Sequence, residues 1–184
     1  MKRLFLSSAL TLVLSVNALA QQASEQLGNG KKMGVALNPV LLLFQWGSAE
    51  VNFWNISRSA EINIPIQFAS DPFFIDKDNL DVRIFSLGAY YRYFFNEKQK
   101  GFFIQGGWIY GHASVKESGD EASGNQNSIL FGFGYRLISQ KGLFWGVALG
   151  AGRSWGTIKD PDGDEVRGSG LAIDVDFLKF GYAW

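Results

Sequence analysis

Residues Leu143 to Gly152 read LFWGVALGAG. Leu143, Trp145, Val147 and Leu149 fall on one side of a period of two, and Phe144, Gly146, Ala148, Gly150 and Gly152 on the other. Successive side chains of a β-strand point to opposite faces, so this stretch predicts a strand with one large apolar face and one smaller face. The alternation continues outward from it. Ile129, Phe131, Phe133, Tyr135 and Leu137 oppose Ser128, Leu130, Gly132, Gly134 and Arg136. Ile62, Ile64, Ile66 and Phe68 oppose Glu61, Asn63, Pro65 and Gln67. Phe85, Leu87, Ala89, Tyr91, Tyr93 and Phe95 oppose Ser86, Gly88, Tyr90 and Arg92. No stretch after residue 20 carries a helical period.

Eight strands follow, at about 33–45, 49–56, 61–69, 81–95, 101–115, 127–139, 143–155 and 171–184, with ends good to ~2–4 residues. Their connections alternate. Ser57 to Ala60, Asn96 to Lys100 and Gln140 to Gly142 are short, whereas Ser70 to Leu80, Lys116 to Gln126 and Thr157 to Gly170 are longer and acidic. The connection near Gln45 to Ser48 is a short exception. An even number of strands, many of them ~9–11 residues long, with turns at one end and loops at the other, is the pattern of an all-β, antiparallel, up-and-down transmembrane barrel. Two positions break the alternation. Pro39 lacks an N–H for a ladder, so a bulge or break is expected at Asn38-Pro39. In the last strand Leu171, Ile173, Val175 and Phe177 share a phase, and Leu178, Phe180, Tyr182 and Trp184 carry the pattern one step later. A bulge at Phe177-Leu178 would turn both sets outward and Asp174, Asp176 and Lys179 inward.

The N-terminus reads as an address. Lys2 and Arg3 precede the 13 apolar-dominated residues Leu4 to Val16, and Ala18-Leu19-Ala20 matches a small-x-small cleavage site. The run is too short to span a bilayer as a helix. The expected organisation is a cleaved signal peptide at 1–20, a polar periplasmic tail at 21–32 and a barrel at 33–184. Cleavage takes Lys2 and Arg3 from a chain with 17 basic and 17 acidic residues, which leaves a slightly acidic protein. That balance argues against a nucleic-acid partner. With no Cys and one His, disulfides, thiol nucleophiles and multi-His metal centres within the chain are excluded. No cofactor is indicated.

A secreted lipocalin-like barrel would alternate equally well, but with its large apolar face inward. Here the opposite face is Gly, Ala, Ser and scattered charge, which suits the narrow interior of eight strands and covers a soluble exterior poorly. Aromatics gather near both strand ends, with Tyr91, Tyr93, Phe95, Phe102, Trp145, Tyr182 and Trp184 at the turn end and Phe85, Trp108, Tyr110 and Phe131 towards the loop end, like two interfacial girdles. Leu178, Phe180, Tyr182 and Trp184, ending the chain on an aromatic, resemble the terminal strand of Gram-negative outer-membrane barrels. The wider resemblance covers 33–184 and is to small eight-stranded barrels of the OmpA, OmpX and OmpW type, and to uncharacterised outer-membrane barrel families built the same way. It implies an outer-membrane location, contact with outer-membrane lipids and lipopolysaccharide, and engagement of the barrel-assembly machinery by the last strand.

On the inner face Glu50, Glu61, Arg92, Arg136, Asp174, Asp176 and Lys179 are expected to form a compensated polar network that fills the interior, because uncompensated buried charge is costly. Asp160, Asp162 and Asp164 place acids at alternate positions, as in a calcium loop, but Glu165 and Leu171 stand where that loop has Gly and Glu. A solvated turn is the simpler reading. His112 and Ser114, two apart on a strand, point the same way. They resemble the H-x-S pair of PagL-type lipid A deacylases, with Glu117 or Glu121 as an orienting acid and Gln126 where that family has its acid. The expected function is a non-enzymatic barrel with a structural or surface-interaction role and a filled interior. The alternatives are an OmpW-like conduit for small hydrophobic molecules, with a cavity beside Gly146, Ala148 and Gly150, and a lipid A-modifying enzyme using His112 and Ser114.

Overall fold

A computed structural model describes residues 31–57, 59–71, 80–95, 99–117 and 120–184. The expected signal peptide, most of the tail and much of the connection from Ser70 to Leu80 lie outside the described residues. The elements are β1 (Met33–Leu37), α1 (Pro39–Leu43), β2 (Trp46–Ser57), β3 (Ala60–Ser70), β4 (Leu80–Phe94), β5 (Gly101–Glu117), β6 (Asp120–Ile138), β7 (Leu143–Lys159) and β8 (Glu165–Ala183). Each strand pairs antiparallel with the next, and β1 pairs with both β2 and β8, so the eight strands close into a ring.

The register fixes the slant of the wall. From Leu37 the cross-strand partners run Ala49, Ile66, Leu87, Tyr110, Asn127, Trp155 and Ser169. Leu37 also pairs directly with Phe180, eleven residues further along β8. One of those residues is the extra residue of a bulge, since Gly146 pairs with Lys179 but Ala148 with Asp176. Ten steps of ~3.3 Å set against eight strands ~4.8 Å apart tilt the strands by roughly 40°, within the usual range for closed barrels. The phase break at Phe177-Leu178 is this bulge, and Leu178 adopts a positive φ of 49° there.

Three expectations change. The first strand stops at Leu37 rather than 45. Asn38 caps a helical turn, accepting from the Leu41 N–H at 3.2 Å, with Pro39 at its first position. Pro suits that place because the N–H it lacks would be unsatisfied anyway. Secondly, the predicted loops 116–126 and 157–170 are mostly strand. β5 runs to Glu117 and β6 begins at Asp120, which pair with each other, and β7 and β8 continue to a turn at 160–164. Thirdly, the inner face is not only Gly, Ala, Ser and charge, since Trp54, Tyr90, Phe94, Phe103 and Phe144 are buried.

Candidate functional site

The interior falls into a filled turn end and an open hairpin end. At the filled end Glu61 grips Arg136 with both carboxylate oxygens, at 2.6 and 2.7 Å, and reaches Arg92 at 3.2 Å. Glu50 bonds Arg92 at 3.2 Å and Lys179 at 2.8 Å. Asp176 holds Lys179 at 2.6 Å and lies 3.7 Å from Arg92. Three cations thus face three carboxylates, and all six side chains are buried. Such a layer persists only when charges and lone pairs are mutually satisfied. Gln105 accepts from Arg92 Nε at 2.8 Å, and Asn52 donates to Glu50 at 3.1 Å and accepts from Asn63 at 3.0 Å. Asp174, the seventh predicted interior charge, stands apart from the layer and is half-buried, accepting from the Tyr90 hydroxyl at 2.8 Å.

Below the charges lies an aromatic box. The Arg136 guanidinium carbon sits 5.0 Å from the Phe94 and Phe144 ring centroids, 5.6 Å from Trp54 and 6.0 Å from Phe103. A guanidinium in this position adds cation–π attraction to its ion pair. The void left among Glu50, Arg92, Phe103, Arg136 and Lys179 measures about 10 Å³, room for roughly one water. Gly146 and Ala148 border this filled region rather than an open cavity.

The hairpin end contrasts with it. A cavity of about 410 Å³ is lined from within by Ile84, Ala113, Val115, Ala122, Ser154 and Ile158, together with the glycines between them. Its size lies in the range of small-molecule sites, although it is open to solvent. Gly146, Ala148 and Gly150 do not line this cavity, which lies towards the strand tips.

By register His112 and Ser114 share the outer face of β5, and His112 also borders the cavity. His112 Nδ1 is 2.8 Å from Asn125 Oδ1, which also accepts from the Tyr110 hydroxyl at 2.7 Å. No hydrogen bond joins His112 to Ser114 among the described residues. Glu121 pairs with Lys116 at 2.9 Å, Gln126 turns to Ser128, and the Glu117 side chain lies outside the described residues. Asp160, Asp162 and Asp164 do not converge. The Asp160 carboxylate accepts from the Asp164 N–H at 2.8 Å, closing a turn in which Gly163 takes a φ of +90°. No group of three or more metal-binding side chains occurs among the described residues. Beside this turn Lys159 and Glu165 pair at 2.9 Å, which holds the Glu165 carboxyl below its ordinary range and raises Lys159.

The terminal residues close the ring. Tyr182 pairs with Val35 and Phe180 with Leu37. The Trp184 carbonyl accepts from Lys32 and Met33 at 2.7 and 3.2 Å, and its N–H donates to Met33 at 3.0 Å. Tyr182 and Trp184 stack at 6.5 Å between centroids.

Asn52, Asn63, Tyr90 and Gln105 belong to the interior network but were not among the predicted residues. A signal was present, because each sits two residues from a predicted interior charge or on the same parity of its strand. Comparison with known proteins finds no matching family model, curated protein or solved structure.

Proposed function

We propose that the chain is an integral outer-membrane β-barrel with a structural or surface-interaction role, filled at its turn end rather than an open pore. The observation that carries this is the inside-out distribution of side chains. Glu61, Arg92 and Arg136 are 0–2% exposed within the ring, while Phe102, Phe131 and Phe133 are 61–70% exposed on its outside. Water would penalise so broad an apolar exterior, and lipid would not.

The outer face also has the right height. On β6 the outward residues Leu137, Tyr135, Phe133, Phe131 and Ile129 are apolar, and Asn127, Asn125, Ser123 and Glu121 above them are polar. Nine residues at ~3.3 Å, tilted by roughly 40°, rise about 23 Å, close to the ~25 Å apolar band of such barrels. At the boundary Trp108 Nε1 donates to Asn127 at 3.2 Å, which suits an amphipathic side chain at a lipid–water interface. In this reading lipopolysaccharide surrounds the upper band, and the terminal strand engages the assembly machinery. The test is membrane fractionation followed by gel electrophoresis with and without boiling. Outer-membrane recovery and a heat-dependent shift are expected, and a soluble periplasmic protein without a shift would contradict the proposal.

The 410 Å³ cavity favours a second reading, that the barrel binds a small hydrophobic molecule at its outer end. Because the charge layer closes the floor, such a molecule would be held or passed sideways rather than through the turn end. The lipid A-modifying reading has weaker support, since His112 engages Asn125 rather than Ser114. His112→Ala and Ser114→Ala should leave the lipid A mass spectrum unchanged. A changed spectrum would restore the enzymatic reading.

A further inference from the structure

The wall of the ring is uneven. β8 pairs with β7 from Glu165 to Tyr182, but among the described residues its other side meets β1 only from Phe180 to Ala183. α1 packs beside β8 just above that seam. Glu165 to Gly170, at the hairpin end, therefore forms the border of a curved sheet.

The register shows what that border offers. The Ala183 N–H donates to the Gly142 carbonyl on β7. Bonding alternates along β7 through Phe144, Gly146 and Ala148, whose partners are Gly181, Lys179 and Asp176. Every second residue above Asp176 continues this set, so Glu165, Arg167 and Ser169 turn their N–H and C=O groups to the free side.

Three further observations describe what fits there. A methyl group placed on Gly168 would meet nothing within 4 Å, and one on Gly170 only Ser154 Oγ at 4.0 Å, so the inner face beside the border is vacant. Ile158, which lines the same cavity, and Val166, its partner across β7 and β8, are 61% and 64% exposed. On the outer face Glu165 is engaged by Lys159, but Arg167 has no carboxylate within ion-pair distance among the described residues. Edge strands are usually blunted by Pro, a bulge or a cover. The segment EVRGSG contains no Pro, and the bulge of β8 lies further down, at Phe177-Leu178.

We propose that this border of β8 accepts an added strand: an extended polypeptide segment of another protein, with small apolar side chains turned into the cavity and an acidic one opposite Arg167. Backbone groups would supply affinity and alternate side chains selectivity, as in other strand-addition sites. A second copy is disfavoured, because copies in one membrane relate by an axis along its normal, which cannot set two β8 borders antiparallel. The proposal rests on the outer-membrane reading only for which end is wet, and the heat-shift gel tests that reading separately.

The test uses the folded full chain in detergent micelles and a fluorescent, extended peptide of alternating valine and threonine with one central glutamate. Saturable binding by anisotropy is expected. It should weaken by about tenfold or more when alternate peptide nitrogens are methylated, the loss of one or two backbone hydrogen bonds. Ser169→Pro should weaken it similarly, because that N–H faces the free side and is not needed by β7, while Ser169→Ala should not. Equal binding of the methylated peptide to wild-type protein overturns the proposal and needs no variant to fold. So does an absence of peptide binding alongside binding of a dodecyl probe, which would assign the cavity to an amphiphile.

Discussion

At the turn end Phe94, Phe103 and Phe144 occupy inner-face positions of β4, β5 and β7; at the hairpin end the same faces of the same strands carry Val82, Val115 and Ile158 with Gly and Ala between them. Apart from the border of β8, the same antiparallel ladder runs through both regions, and they differ in side-chain volume and charge. Large aromatics around compensated ions leave a void of only about 10 Å³, and small residues leave a cavity of about 410 Å³. In the proposed reading, this difference gives one end to stability and the other to interaction.

The largest effect should come from removing a central anion. Glu61→Ala would leave Arg136 and Arg92 without their shared carboxylate, and a loss of about 3–5 kcal/mol is expected from breaking a buried ion network. Urea unfolding in lipid vesicles measures it. An effect below about 1 kcal/mol would mean that the layer is hydrated rather than packed. Next comes a matched pair of insertions. Ala148→Leu must fit against Phe94 and Phe103 and should cost about 1–3 kcal/mol, whereas Ala113→Leu projects into the cavity and should change stability by no more than about 0.5 kcal/mol. Equal costs in the same unfolding assay would erase the distinction between the ends. The smallest effect concerns Lys159 and Glu165 in the exposed hairpin. Because the Glu165 carboxyl is held low, its contribution is complete above the ordinary carboxylate range and fades as pH falls through the lowered value. A carboxyl titration by NMR should place Glu165 below unpaired glutamates in the chain, and Lys159→Ala should return it to the ordinary range.

Much of this architecture was legible because its signals are local. Parity along β6 and β7 marks two faces, and the change of parity at Phe177-Leu178 marks the bulge that brings Asp176 and Lys179 to one side. Asn38-Pro39 was legible as a break. Its helical outcome needed the cap and the first-turn proline to be weighed together. The extension of β7 and β8 past Thr157 was hidden, because Asp, Gly and Lys read as loop while a ladder already begun carries strand geometry onward. The grouping of Glu50, Glu61 and Arg136 depends on the shear of the ring. Alternation assigns each residue to a face but not to a height, so the sequence named the members without their partners. Parity already places Tyr90 and Phe144 on the inner face, but size alone does not reveal that they are buried, as Trp54, Phe94 and Phe103 are.

The most direct test of the central claim uses the absence of Cys from the chain. Single cysteines introduced along β6 at 123, 125, 129, 130, 131, 132 and 133 can each carry an environment-sensitive fluorophore in vesicles containing brominated lipid. Strong quenching is predicted at 129, 131 and 133, with little at 130 and 132 and little at 123 and 125. Uniform weak quenching, or quenching that follows the even positions, would contradict a barrel that turns its large apolar face to lipid.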